Sequence, residues 1–278
     1  MEKNLSALGF MSGTSGDGVD TSVISSNGKD TINIKYNRFD PYPTSLSNKI
    51  HRVKESILEM QDLLKYSSEI DKLELEITDF HIDIAIKATK EVDYDLIGFH
   101  GHTIYHNTEE KISKQIGLGA NLSKLTNKDV VYNFRQNDIK NGGEGAPLSP
   151  IYHLALIKSL FNENKVKIPI SILNIGGIAN ITEIEKDFKI TSRDIGPGNC
   201  LIDKWVRKNS DKFFDENGTL ADKGKTDKFI FDQYLDNYYY SKVNSKRSLD
   251  TNDFDISFAK GLSCLLYTSD AADDLWCG

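Results

Sequence analysis

The stretch Phe10–Asp20, FMSGTSGDGVD, constrains the fold more than any other part of the chain. An apolar run, Leu5 to Met11, stops at Ser12, Gly13, Thr14, Ser15 and Gly16, and an alternating stretch from Val19 to Ile24 begins directly after Asp17 and Gly18. The pattern predicts strand, tight loop, strand. Three glycines permit positive φ and leave backbone N–H groups uncovered, Thr14 and Ser15 add hydroxyl donors, and Asp17 and Asp20 could hold a cation or a water. Such a loop can cradle a phosphate. It is not a lysine-bearing phosphate loop, because no Lys follows the glycines and a strand rather than a helix comes next. A plain β-hairpin would use the same glycines.

With 278 residues, 38% of them hydrophobic, the chain can build one large domain or two ordinary ones. A net charge of −7 argues against a general nucleic-acid or membrane-surface binder. No segment approaches the roughly 20 apolar residues of a spanning helix, and the N-terminus shows neither the basic cluster nor the cleavage site of a signal peptide. A soluble cytoplasmic protein is expected. Cys200, Cys264 and Cys277 are odd in number and widely spaced, which gives neither a disulfide framework nor a zinc knuckle.

Further along, Asn27-Gly28 predicts a hairpin between strands Val19–Ser25 and Thr31–Arg38, so three consecutive strands open the chain until Pro41 and Pro43 stop them. Helical spacing then runs over residues 45–65 and 70–92, with a break expected in a stretch of that length. A short strand, Tyr94 to Phe99, leads into His100-Gly101-His102-Thr103, with His106 beyond. Three imidazoles within seven residues admit a metal, but no matching Cys or carboxylate spacing accompanies them. No metal site is predicted. The histidines suit the polar lining of a sugar or phosphate pocket, or a structural pair.

The strand Val130–Phe134 is followed by Arg135, Asp138 and the segment Asn141-Gly142-Gly143-Glu144-Gly145-Ala146-Pro147, after which Ser149 and Pro150 are placed to start a helix over residues 151–161. A loop of this kind feeding a helix can bind an anion or simply cross between domains. The second half then repeats the opening pattern: strand Ile168–Ile175, turn Gly176-Gly177, strand Ile178–Ile184, and a third strand over residues 188–190. Two related domains are expected. Asp194 lies between that strand and a Gly-Pro-Gly turn opening a helix over residues 200–208, where it can serve as a base or merely as a turn residue.

Five blocks, MSGTSGDGVD at Met11–Asp20, HGHTIYH at His100–His106, NDIKNGGEGAPLSP at Asn137–Pro150, LNIGGIANIT at Leu173–Thr182 and DIGPGN at Asp194–Asn199, resemble in order those of the anhydro-N-acetylmuramic acid kinase family. That family belongs to the sugar kinase, actin and Hsp70 superfamily. The resemblance implies an α/β fold of two RNase H-like domains, an actin-like ATPase arrangement, with MgATP and a small-molecule anhydro amino sugar meeting in an interdomain cleft. The domains would cover residues 1–133 and 134–263. It also implies hydrolytic opening of 1,6-anhydro-N-acetylmuramic acid with phosphorylation of O6, a step of peptidoglycan recycling. Carried over by position, Gly13, Thr14, Ser15, Gly16, Asp17, Gly18, Val19 and Asp20 form the ATP phosphate loop, and Asp194 is the general base. His100, His102, Arg135 and Asp138 would line the substrate side. The resemblance also suggests a homodimer, and it brings ATP and Mg2+ as cofactors.

Two departures stand out. Gly16 occupies a position where the family usually has a bulky apolar residue such as Leu, which should loosen the loop but keep its donors. From Cys264 the text CLLYTSDAADDLWCG does not resemble the family, which continues with a Gly-rich adenosine-binding motif. Residues 264–278 therefore read as a non-native tail on a truncated second domain. On that reading the alternative is an inactive, non-catalytic nucleotide- or sugar-binding member of the superfamily.

Overall fold

A computed structural model describes residues 4–13, 15–107, 109–239 and 249–256. Its elements begin with β1 (Leu5–Met11), β2 (Gly18–Ser26), β3 (Ile32–Pro41), α1 (Thr44–Ser56), α2 (Met60–Lys65) and α3 (Ser67–Ala88). They continue with β4 (Leu96–Phe99), β5 (His102–Asn107), β6 (Ile112–Ile116), α4 (Gly119–Thr126), β7 (Asp129–Tyr132), α5 (Phe134–Lys140) and α6 (Pro150–Asn162). The last are β8 (Ile170–Ile175), β9 (Ile178–Ile184), β10 (Ile190–Pro197), α7 (Cys200–Asn209) and α8 (Lys228–Tyr239).

The three opening strands pair antiparallel in sequence, Leu5 facing Ser26 and Gly18 facing Pro41. Their hairpin turn is built by Asn27, whose Oδ1 accepts the N–H groups of Lys29, Asp30 and Thr31, while Gly28 takes φ 74°. β4 and then β7 add parallel to β1, giving a mixed five-stranded sheet of order β3-β2-β1-β4-β7. Alternation along β1 turns Leu8 and Phe10 into the core, where they meet Val19, Val23, Ile97 and Phe99 from neighbouring strands.

Helical periodicity supplies the covering layer. Leu46, Ile50 and Val53 of α1 and Ile70, Leu73, Ile77 and Ile84 of α3 are buried in the same core. Fully burying a side chain of this type contributes about 1.5–3 kcal/mol. The expected helix over residues 45–65 is interrupted after Ser56, because Asp62 of α2 turns its carboxylate back onto the N–H groups of Leu58 and Glu59 and starts a new helix. Pro150 opens α6 as expected, but Ser149 makes no side-chain cap; its backbone is already helical, at φ −71° and ψ −17°.

Contacts divide the chain into two compact units, residues 1–173 with 181–193, and residues 174–180 with 194–278. The first holds the five-stranded sheet, its helices and the β5–β6 hairpin. Strands β10, β9 and β8 form a three-stranded sheet in that order. The described part of the second unit has a small core of Cys200, Leu249 and Phe254, with Ile178 and Leu201 packed against it. Lys204 of α7 ties down the segment after Leu249, donating to the backbone carbonyls of Thr251 and Phe254. No helix among the described residues is long and apolar enough to cross a membrane. The expectation for residues 264–278 lies outside the described residues.

Candidate active site

Strand order brings together the candidate residues of the first unit. β1, β4 and β7 are adjacent and parallel, so their carboxyl ends share one edge of the sheet, the edge where open α/β sheets carry ligands. That edge receives the glycine loop after β1, His100 after β4 and Arg135 just after β7.

The loop is held from several sides. Gly16 takes φ 61°, its N–H donates to Gly13 O at 3.1 Å, and its carbonyl accepts the Ser47 hydroxyl at 2.7 Å. The Ser15 hydroxyl donates to Asp17 Oδ1 at 2.6 Å, and the Tyr42 N–H donates to Asp17 O at 2.9 Å. Gly18 is required by close approach, since a Cβ there would stand 2.5 Å from Asp40 O. Val19 is fully buried, so its side chain belongs to the core. The Asp20 carboxyl is pushed up from its ordinary range, first by partial burial and then by the charge of Asp17. Thr14 lies outside the described residues. The hydroxyl of Ser12, at the root of the loop, is 2.8 Å from Tyr42 Oη and 2.7 Å from His102 Nδ1.

Arg135 and Asp138 sit on α5, a helix where the sequence suggested loop. His100 Nδ1 donates to Gly101 O at 2.9 Å, since a carbonyl can only accept. Its Nε2 therefore accepts from Arg135 Nε at 2.8 Å, which fixes the neutral tautomer. Burial and then the Arg135 charge push His100 down to about 4. Arg135 also donates to Gly145 O at 2.9 Å, and Asp138 Oδ2 accepts the Gly145 N–H at 2.8 Å. Both side chains thereby fold the glycine-rich segment back over α5. His102 is fully enclosed and pushed well below its ordinary value, chiefly by burial and then by Lys54. His106 pairs with Ser113 across the β5–β6 hairpin. The three imidazoles thus have separate partners, and no cluster of three or more His, Cys, Asp or Glu among the described residues is arranged to hold a metal.

In the second unit Asp194 lies inside β10, which runs on to Pro197 and begins at Ile190, not at residue 188. Phe188 instead occupies the preceding turn at φ 62°. The Asp194 carboxylate is buried, and its Oδ2 accepts the Leu249 N–H at 2.8 Å. The two glycine motifs of this half form one joint. Gly198 N–H donates to Gly177 O at 3.0 Å and Asn199 N–H to Gly176 O at 2.7 Å. A Cβ on Gly198 would press into Gly176 O, so only glycine fits. The joint fixes the chain between Asp194 and the start of α7.

Ser12, Tyr42, Ser47 and Leu249 escaped the sequence reading. Ser12 was visible only as a loop residue, and the partners contributed by the other three come from far along the chain.

A mixed sheet that gathers a glycine- and hydroxyl-rich loop, a histidine and an arginine at one edge defines an α/β protein of the kinase and ATPase class. Comparison with known proteins narrows the class. A family model for anhydro-N-acetylmuramic acid kinase matches residues 5–264. The anhydro-N-acetylmuramic acid kinase of Pelagibacter ubique is 47% identical over 267 residues, covering 95% of this chain and 70% of that protein. Those of Agrobacterium fabrum and Rhizobium johnstonii are 34% and 37% identical, covering 96% and 89% of this chain and 74% and 67% of theirs. The chain belongs to the anhydro-N-acetylmuramic acid kinase family.

Proposed function

We propose that this chain is an ATP-dependent kinase of peptidoglycan recycling that opens 1,6-anhydro-N-acetylmuramic acid with water and phosphorylates O6, giving N-acetylmuramic acid 6-phosphate. The observation that carries the reading is the family match over residues 5–264, which contains both the glycine loop and Asp194.

The residues fit the groups such a reaction needs. Residues 13–20 would hold the phosphates of ATP, with Gly18 letting the start of β2 pack against Asp40 at the foot of the loop. Asp17 and Asp20, at the end of the loop and the start of β2, are hard oxygen donors of the kind that suit Mg2+. When bound, MgATP supplies the transferred phosphoryl group and the charge neutralisation its oxygens require. Asp194 takes the proton from a water that attacks the anomeric carbon. The bond from that carbon to O6 breaks, and O6 becomes the nucleophile. The Leu249 N–H on Oδ2 orients the carboxylate. His100, Arg135 and Asp138 would shape the substrate side, whereas His102 is fully enclosed and does not line it.

Two RNase H-like domains over residues 1–133 and 134–263, a homodimer and a cytoplasmic location belong to the same proposal. Sedimentation and cell fractionation check the last two.

The test is transfer of labelled phosphate from MgATP to the anhydro sugar. The wild-type chain should form the 6-phosphate, and Asp194→Asn should lose about 10²- to 10⁴-fold in kcat with binding retained. A folded wild-type chain that binds ATP or sugar without turnover would support the non-catalytic reading instead.

A further inference from the structure

At the root of the glycine loop, three buried polar side chains from three different elements meet. Ser12 follows β1, Tyr42 follows β3 and His102 begins β5. Ser12 Oγ lies 2.8 Å from Tyr42 Oη and 2.7 Å from His102 Nδ1, and the relative exposures of the three residues are 6%, 6% and 0%. Ser12 and His102 are also joined through a parallel backbone bridge. Tyr42 grips the loop twice, with its hydroxyl at Ser12 and its N–H on Asp17 O at 2.9 Å. The loop is therefore clamped at both ends by one residue, and that clamp is anchored to the strand that follows His100.

No side chain of this trio needs to reach a ligand. Tyr42 packs its ring on Phe80, with centroids 4.8 Å apart, and His102 Nε2 has no hydrogen-bond partner among the described residues. A buried polar group left partly unsatisfied costs stability, so packing alone does not account for an imidazole at this point. We propose that Tyr42, Ser12 and His102 form a positioning chain that fixes the two ends of the glycine loop, at Ser12 and Asp17, in the placement that accepts the ATP phosphates. This rests on the kinase reading given above.

The experiment measures the dissociation constant of MgATP by calorimetry, KM for each substrate, and Tm, for Tyr42→Phe, Ser12→Ala, His102→Leu, His102→Asn and the double variant Ser12→Ala with His102→Leu. Tyr42→Phe deletes a single oxygen and keeps the ring contact, so it provides a folded test case. The expected result is a rise of about tenfold in the Kd and KM for MgATP with the sugar KM unchanged within about twofold. His102→Asn, which can still offer a polar atom near Ser12, should recover much of the loss, and the double variant should be no worse than the worse single one. A lowered Tm with unchanged MgATP constants, or an equal rise in both KM values, overturns the inference. Absence of MgATP binding by the wild-type chain overturns the kinase reading and this inference together.

Discussion

Replacing His81 with leucine is expected to reduce the protein's sensitivity to acid by a measurable share. His81 is fully buried on α3, donates Nδ1–H to Ile77 O at 2.7 Å, and is ringed by Phe10 and Phe99 with centroids 5.1 and 5.0 Å away. Its Nε2 has no hydrogen-bond partner among the described residues. Burial pushes its pKa down to about 4, against 6.5 for the exposed group, and only the Ile77 bond opposes this. The unfolded chain therefore takes up a proton on this residue between pH 6.5 and 4 while the folded chain does not. Stability falls as pH drops through that window and changes no further below it. At pH 5 the loss relative to pH 7 comes to about 2 kcal/mol for His81 alone, a large share of the roughly 5–15 kcal/mol that stabilises an ordinary domain. The assay is urea unfolding of wild type and His81→Leu at pH 7 and pH 5. His100 and His153 are depressed in the same direction but remain in both proteins, so they cancel in the difference; His102 is depressed chiefly by burial and then by Lys54, with His81 a lesser cause, so most of its contribution cancels as well. His81→Leu should lose about 2 kcal/mol less than wild type between the two pH values. Equal losses would refute the reasoning, whatever the absolute stabilities.

Two further outcomes follow from the site. Gly198→Ala should destabilise by about 2–4 kcal/mol, from forced overlap with Gly176 O and weakening of the two backbone bonds that Gly198 and Asn199 make at the joint, as read by denaturant unfolding. Arg135→Gln removes the cation that helps to depress His100, so an NMR titration should find the His100 pKa raised, though still below its ordinary value because burial persists; an unchanged or lowered value would show that Arg135 exerts no such influence.

What could be read in advance was whatever the chain encodes locally. β1 and β9 matched their apolar runs residue for residue, and the Asn27-Gly28 turn followed from its own side chain. α5 could not be read so, because its seven residues bury only Ile139 and offer no period to detect. The β5–β6 hairpin was hidden in the same way by Lys and Gln among its apolar residues. The site divides along the same line. Asp194, His100 and the loop stand out as candidates by residue type beside glycine, because the chemistry proposed for them demands particular chemical groups. Tyr42 stands 30 residues from Ser12 and gives no local signal, while His102, 90 residues from Ser12, reads in the sequence as a pocket-lining residue and is instead fully enclosed against Ser12. Only the order β3-β2-β1-β4-β7 brings them to one point, and that order depends on β4 adding parallel to β1 across a long helical crossover. A residue that works by holding another is selected for where the fold delivers it, so its role becomes visible only when the strand order is known.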